Sequence, residues 1–497
     1  MKYLYNIVLF LSLIALIITG ACEKEIPNEN TDPDVEKPGE ISLFIYGGLK
    51  DVYLWYDKVD KLDNDYFADT DGFYTYLNDF GNDYEGLFYD LLYQYGTIDK
   101  WSWIVDDWEE LENSFAGISK SIGYDFRLVQ ISNSDQVFGY IRYVIPGSPA
   151  DNAGLVRGDL FTRVDGELIT INNYRDLLFN NDSYSLTKAS ISNDQINETG
   201  TTDIMTAVVL QENPVHYSEV MDIGGVPTAY LVYNSFTSNF DLQLNDQFED
   251  FKTQGVNRLI LDLRYNGGGS IQTAIYLASM IYNTNTSEVF SISEWNDKYN
   301  EYFEYEYGPD ALKYYFADVI EKTDQETQET VETPISSLGL DELYVITTSG
   351  TASASELVIN GLEPYMDVIQ VGDSTRGKYV GSITVKDYDA QGNIITSHKW
   401  AMQPIVLKIA NSNGVSDYVN GLPADVQATE DYRNLLPFGN ENEPMLKATI
   451  DYILGVKSAP AEVQLIEGTD YKVIADSREF RPLSNEMYLE ELPGKRK

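Results

Sequence analysis

Two histidines and one cysteine are all of their kind among 497 residues, and 34 Lys and Arg stand against 79 Asp and Glu. Each scarcity excludes a chemistry. A lone cysteine forms no internal disulfide. At position 22 it belongs to the head of the chain, so cysteine-nucleophile catalysis is excluded. His216 and His398 have no neighbours at metal-ligand spacing, so paired-histidine zinc sites are not evident and each reads as a surface residue. No nucleophile-elbow motif supports a Ser/His/Asp site. A net charge of −45 leaves nothing to neutralise phosphates, which argues against nucleic acid and against electrostatic binding to an anionic membrane. No metal and no cofactor is expected. What is plentiful is apolar content, 43% of the chain, enough to bury cores in two to four domains.

MKYLYN at the start is followed by a twelve-residue apolar run, Ile7 to Ile18. That run is too short to span a bilayer comfortably and has the length of a signal-peptide core. TGAC comes next, and Gly20 and Ala21 before Cys22 resemble the lipobox of bacterial lipoproteins, with Thr19 where an aliphatic residue is usual. The resemblance implies a signal over residues 1–21 and a lipid anchor on Cys22. Residues 22–40, with Pro27, Pro33, Pro38 and many acids, read as a tether too polar to fold. An anchored tether places the remainder in the bacterial cell envelope, on the outer membrane or facing the periplasm.

Beyond the tether, Leu43, Tyr46, Leu49, Tyr53 and Tyr56 recur three or four apart. This spacing predicts an amphipathic helix within a small helical domain over 41–113, with the Gly47–Gly48 pair as a weak point. Residues 138–170 then alternate β-branched and aromatic runs with Gly, Pro and Asp turns, a compact sheet-plus-helix module. Within it, SPADNAGLVRGD closely resembles a PDZ domain, plausible over 114–213. PDZ domains take extended peptides by strand addition and hold their carboxylate on backbone N–H groups. The resemblance assigns that capture loop to Gly123, Tyr124 and Phe126, with Asp125 where glycine is usual and a bound carboxylate would be repelled.

From Pro214 the pattern becomes strand, glycine turn, helix: VNRLILDLRYNGGGS runs into IQTAIYLASMIY, and ELYVITTSG into SASELVINGLEPY. An acidic, Tyr-rich insertion over about 284–334 interrupts these units. Its stretch KYNEYFEYEYGPDALKYYFADVIEK is expected to be helical and to cover a cleft. No motif is legible in 458–497.

A serine can be activated by a neutral lysine. Ser353 falls where a strand turns into a helix beginning near Ala354, among small residues that let the turn close. The first turn of a helix offers free N–H groups, so Ala354 is a candidate oxyanion donor and Gly268, in the glycine run, a second. Lys378 lies 25 residues on, a spacing that returns through helix and strand to the same sheet end. Arg376 beside it would help to keep it neutral by like-charge repulsion.

Together, GTASASELVINGLEPYMDVIQVGDSTRGK, LILDLRYNGGGS and GLPADVQATED resemble, in order, the motifs of the carboxyl-terminal processing serine peptidases, the tail-specific protease family. The resemblance covers most of 114–457. It implies a crotonase-like α/β spiral core over 214–457 with the PDZ domain before it, Ser353 as nucleophile, Lys378 as general base, and Ala354 with a glycine of 267–269 as oxyanion hole. Some members orient the lysine with a glutamine four residues later, where this chain has Ser382. Ser382 and Glu356 are the candidate supporting residues. The expected function is cleavage of extended or C-terminal polypeptide segments bound or gated by the PDZ domain. The competing expectation is an inactive peptide-binding lipoprotein on the same scaffold.

Overall fold

The computed structural model describes residues 35–456, 472–480, 485–490 and 492–494, apart from 132, 193, 194, 324–326, 328 and 434. The expected signal segment and Cys22 lie outside the described residues.

Alternation of side chains organises the core. A six-stranded sheet runs in the order Val215–Ile223, Val226–Tyr233, Arg258–Asp262, Glu342–Thr347, Asp367–Gly372, Val426–Gln427. Its first two strands form an antiparallel hairpin and every later pairing is parallel. Successive residues of a strand point to opposite faces. Accordingly Ala229, Leu231, Leu259, Leu261, Leu343 and Val345 enter one core, with residues of the helices Asp241–Thr253, Ile271–Ile281 and Ala354–Leu362. Tyr230, Val232, Ile260, Tyr344 and Ile346 enter another, against Met445, Leu446 and Ile450 of helix Pro444–Ile453. The helix Ala354–Leu362 is buried throughout, as its apolar sequence requires. This is the α/β core expected from the strand–glycine–helix pattern.

A second six-stranded sheet joins Gly269–Ser270, Met487–Tyr488, Val380–Ser382, Ile405–Asn411, Val289–Trp295 and Lys313–Tyr315. The expected helix of the insertion is confined to Asp297–Tyr307; Val319–Thr323 and Thr330–Pro334 form an antiparallel hairpin instead. The Gly-Pro-Asp stretch at 308–310 ends the helix, Gly308 adopting φ +92.

The N-terminal domain contains helices Glu40–Val52, Thr70–Asp79 and Tyr84–Asp90. Tyr46, Leu49 and Tyr53 are buried as their spacing predicts, while Leu43 and Tyr56 are half-buried. Gly48 does not break the helix. A β-carbon there would meet Met402 Cε at 2.4 Å, so glycine gives the helix its close seat on the core. The PDZ region is a sheet in the order Lys472–Asp476, Tyr124–Gln130, Val137–Val144, Leu160–Val164, Leu186–Ser192, Gln195–Thr201. Its first strand comes from the C-terminal end of the chain.

Candidate active site

The stretch Thr347 to Ser355 is tied to the neighbouring strand end rather than slack. Thr351 Oγ1 donates to Leu263 O at 2.8 Å, Ala352 N–H to Asn266 O at 3.1 Å, and Ser355 Oγ to the same Asn266 O at 3.0 Å. The small hydroxyl residues thus bind the nucleophile turn to the glycine loop. At the head of the helix Ser353 adopts φ 67, ψ −118, a conformation that costs a non-glycine residue about 1–3 kcal/mol. Ser353 is fully buried, and its Oγ has no hydrogen-bond partner among the described residues. Strain on a buried, unsatisfied hydroxyl is a functional signature rather than a packing one.

Gly268 and Gly269 adopt φ +109 and φ +140. A β-carbon on Gly268 would stand 2.7 Å from Ser353 Cβ, 3.0 Å from Ala354 N and 2.3 Å from Glu486 O. Only glycine lets these groups converge. The N–H of Gly268, expected to be the second oxyanion donor, instead donates to Asn266 Oδ1 at 2.9 Å. The turn of the backbone presents the next amide: Gly269 N–H donates to Glu486 O at 2.6 Å. Ala354, first residue of its helix, has an N–H without an intrahelical acceptor.

Lys378 is fully buried. Its Nζ donates to Asn485 O at 2.6 Å and to Glu486 Oε2 at 3.2 Å, and lies 5.2 Å from the Trp101 ring centre. Burial pushes its pKa below the usual lysine value, and the Glu486 carboxylate opposes this. Arg376 does not take part: its side chain lines a separate cavity with Arg127, Arg142 and Arg478.

Glu356 sits between nucleophile and lysine. Its Oε2 accepts the N–H of Ser353 and the N–H of Lys378, both at 2.8 Å, and its Oε1 accepts the N–H of Gly377 at 2.6 Å and the Thr375 hydroxyl. Burial raises its pKa while these donors lower it. The first-turn acid is therefore a structural bridge across the site. Ser382 Oγ lies 3.5 Å from Glu486 Oε2 and accepts from Gln403 Nε2 at 3.0 Å; Gln403 Oε1 has no partner among the described residues. Gln403, 25 residues beyond Lys378 on strand Ala401–Gln403, carried no signal in its local sequence.

In the PDZ loop, Tyr124 and Phe126 turn their rings into the domain core, and Gly123 takes φ +91 against Ser148. The N–H of Phe126 donates to Ser477 Oγ at 3.0 Å. Asp125 does not repel a carboxylate, because buried Arg142 and half-buried Arg478 pair with it. His216 and His398 are not plain surface residues. His216 packs between Tyr143 and Phe438, and His398 Nε2 lies 3.2 Å from Asp387 Oδ2. Among the described residues neither hydrogen-bonds to Ser353 or Lys378.

Residues 227–408, which hold Ser353, Lys378 and the glycine run, match the profile of peptidase family S41; residues 40–103 match the S41 N-terminal domain and 140–185 a PDZ domain. This core is a peptidase family S41 domain. It is 25% identical over 376 residues to the carboxy-terminal processing protease CtpA of Bacillus subtilis, covering 72% of this chain and 70% of that one. A carboxyl-terminal-processing protease of Picosynechococcus is 24% identical over 270 residues, 52% of this chain and 54% of its own length. A Bacteroides fragilis protein solved as a candidate S41 protease superposes with TM-score 0.63 at 25% identity, over 87% of this chain and all of that one. The S41 core, its PDZ domain and its helical N-terminal domain thus stand in the order read from the sequence.

Proposed function

We propose that this S41 chain is a serine endopeptidase of the cell envelope, anchored through Cys22, that cleaves extended or C-terminal segments of polypeptides. The observation that carries the reading is Ser353: strained, buried, its Oγ without a hydrogen-bond partner among the described residues, against Gly268 and joined through Glu356 to a buried lysine.

In this reading neutral Lys378 takes the Ser353 hydroxyl proton as Oγ attacks the scissile carbonyl. The negative charge moves to the carbonyl oxygen, which the N–H groups of Gly269 and Ala354 receive. As the C–N bond breaks, Lys378 returns its proton to the leaving amine and the acyl group stays on Ser353. Lys378 then takes a proton from water, whose oxygen attacks the ester; that proton returns to Ser353 as the carboxylic acid leaves. Glu356 fixes the two partners by their backbones.

Hydrolysis of an unstructured reporter peptide tests this. Ser353→Ala and Lys378→Ala are expected to lose turnover while still binding peptide; equal turnover in all three forms would overturn the reading. The inert-binder reading draws on one observation, that Lys378 Nζ faces residues 485–486 and makes no recorded hydrogen bond to Ser353. A blocked lysine accounts for that contact as well as an absent activity does.

A further inference from the structure

The C-terminal segment enters both places where a polypeptide substrate would lie. Lys472–Asp476 adds antiparallel to the free edge of strand Tyr124–Gln130, with Lys472 opposite Gln130 and Asp476 opposite Arg127. Strand addition to a sheet edge, with alternate side chains entering a groove, is how PDZ domains hold peptides. Ala475 is buried in the PDZ core, and the Phe480 ring stacks on Phe179 with centroids 3.9 Å apart. The Asp476 carboxylate is gripped by Arg142 through two nitrogens and by Arg127 Nε at 2.8 Å. Such a forked arginine contact selects a carboxylate by geometry as well as charge.

Ten residues on, the same segment fills the cleft. Met487–Tyr488 is inserted as a strand between Gly269–Ser270 and Val380–Ser382, and residues 486–489 are buried. The carbonyl oxygen of Glu486 is held by Gly269 N–H and crowds the spot shared by Ser353 Cβ and Ala354 N. Its side chain pairs with Lys378 and accepts Trp103 Nε1 at 3.0 Å. A backbone carbonyl of the chain thus sits on the Gly269 amide beside Ser353, and the carboxylate of the same residue holds the lysine.

We propose that residues 472–480 and 485–490 are the enzyme's own ligand in cis, the first bound in the PDZ groove and the second beside Ser353 as a substrate would be, and that this occupancy keeps the cleft shut. It follows that polypeptides admitted in trans are extended and carry an acidic side chain for the Arg127–Arg142 clamp. A tethered ligand competes at an effective concentration on the order of mM, so weak contacts suffice to exclude dilute peptides. The proposal rests on the peptidase reading for its second half, whereas occupancy of the PDZ groove does not.

The test uses full-length protein and a fluorescent peptide of the sequence 472–490. In a Ser353→Ala background, Asp476→Asn or Glu486→Gln weakens the tethered copy and leaves the receptor intact. Each is expected to bind the free peptide at least tenfold tighter than Ser353→Ala alone. Glu486→Gln keeps the side-chain volume and carries the test if Asp476→Asn fails to fold. Unchanged peptide affinity in a folded variant overturns the proposal, even if wild-type enzyme hydrolyses reporter peptides. Tighter binding with no turnover by any form supports the cis ligand and removes the peptidase reading instead.

Discussion

The Oε2 atom of Glu356 accepts the backbone N–H of Lys378 at 2.8 Å across 22 residues of sequence. The same oxygen holds the N–H of Ser353. Ser353 and Lys378 are therefore positioned through their backbones by one carboxylate. Replacing Glu356 by Gln turns an amide N–H₂ toward donors, leaving a buried group unsatisfied at about 1–3 kcal/mol. The expected outcome is a kcat lowered about 10- to 100-fold with little change in KM, and a melting point reduced by several degrees. Steady-state kinetics and thermal melts of Glu356→Gln check both.

Gly268 tolerates no side chain. An alanine there places a methyl 2.7 Å from Ser353 Cβ at φ +109. Displacement of the serine or of the Ala354 amide is expected to cost at least about 100-fold in kcat/KM, the scale of losing one oxyanion donor. Gly200→Ala, where no atom lies within 4 Å of the added carbon, serves as the unaffected comparison in the same assay.

Lys378 acts as base only when neutral. Burial lowers its pKa and Glu486 raises it again. Activity is thus expected to climb with pH along a limb set by Lys378. Glu486→Gln removes the opposing charge and shifts that limb to lower pH. The pH–rate profiles of the two forms decide; superimposable limbs would exclude the coupling.

His216 links acid sensitivity to the contact between the PDZ region and the core. Burial, with Arg157 and Arg478 nearby, lowers its pKa from 6.5 to about 4. Between those values the unfolded chain binds the proton and the folded chain does not, so stability falls as pH falls. Each pH unit of that window costs about 1.4 kcal/mol at most. Urea titrations from pH 7 to pH 4 are expected to show a shallower loss for His216→Asn than for wild type.

The residues that meet at the candidate site were legible because their placement leaves local marks: small residues at the Ser353 turn, three glycines after a strand, a lysine at the return distance. What a sequence run does not carry is which amide of the glycine run faces the cleft. That depends on the twist at Gly268 and Gly269, where two consecutive positive φ values turn successive N–H groups apart. Asp125 looked repulsive because its partner Arg142 lies across a strand pair, 17 residues away. The two histidines looked exposed because the rings packed on them come from residues remote in sequence, Phe438 on His216 and Phe44 on His398. Strands Lys472–Asp476 and Met487–Tyr488 carried no motif, since pairing to a sheet edge needs only extended backbone and a few well-placed side chains. Their role emerges only against the edge they cover.

The most direct measurement is labelling of Ser353 by a phosphonylating serine probe, read by mass spectrometry of the peptide that carries it. The account predicts one adduct, on Ser353, slow in wild type, faster in Glu486→Gln, and absent in Ser353→Ala and Lys378→Ala. A Glu486→Gln protein that is folded yet takes no label on Ser353 would contradict it.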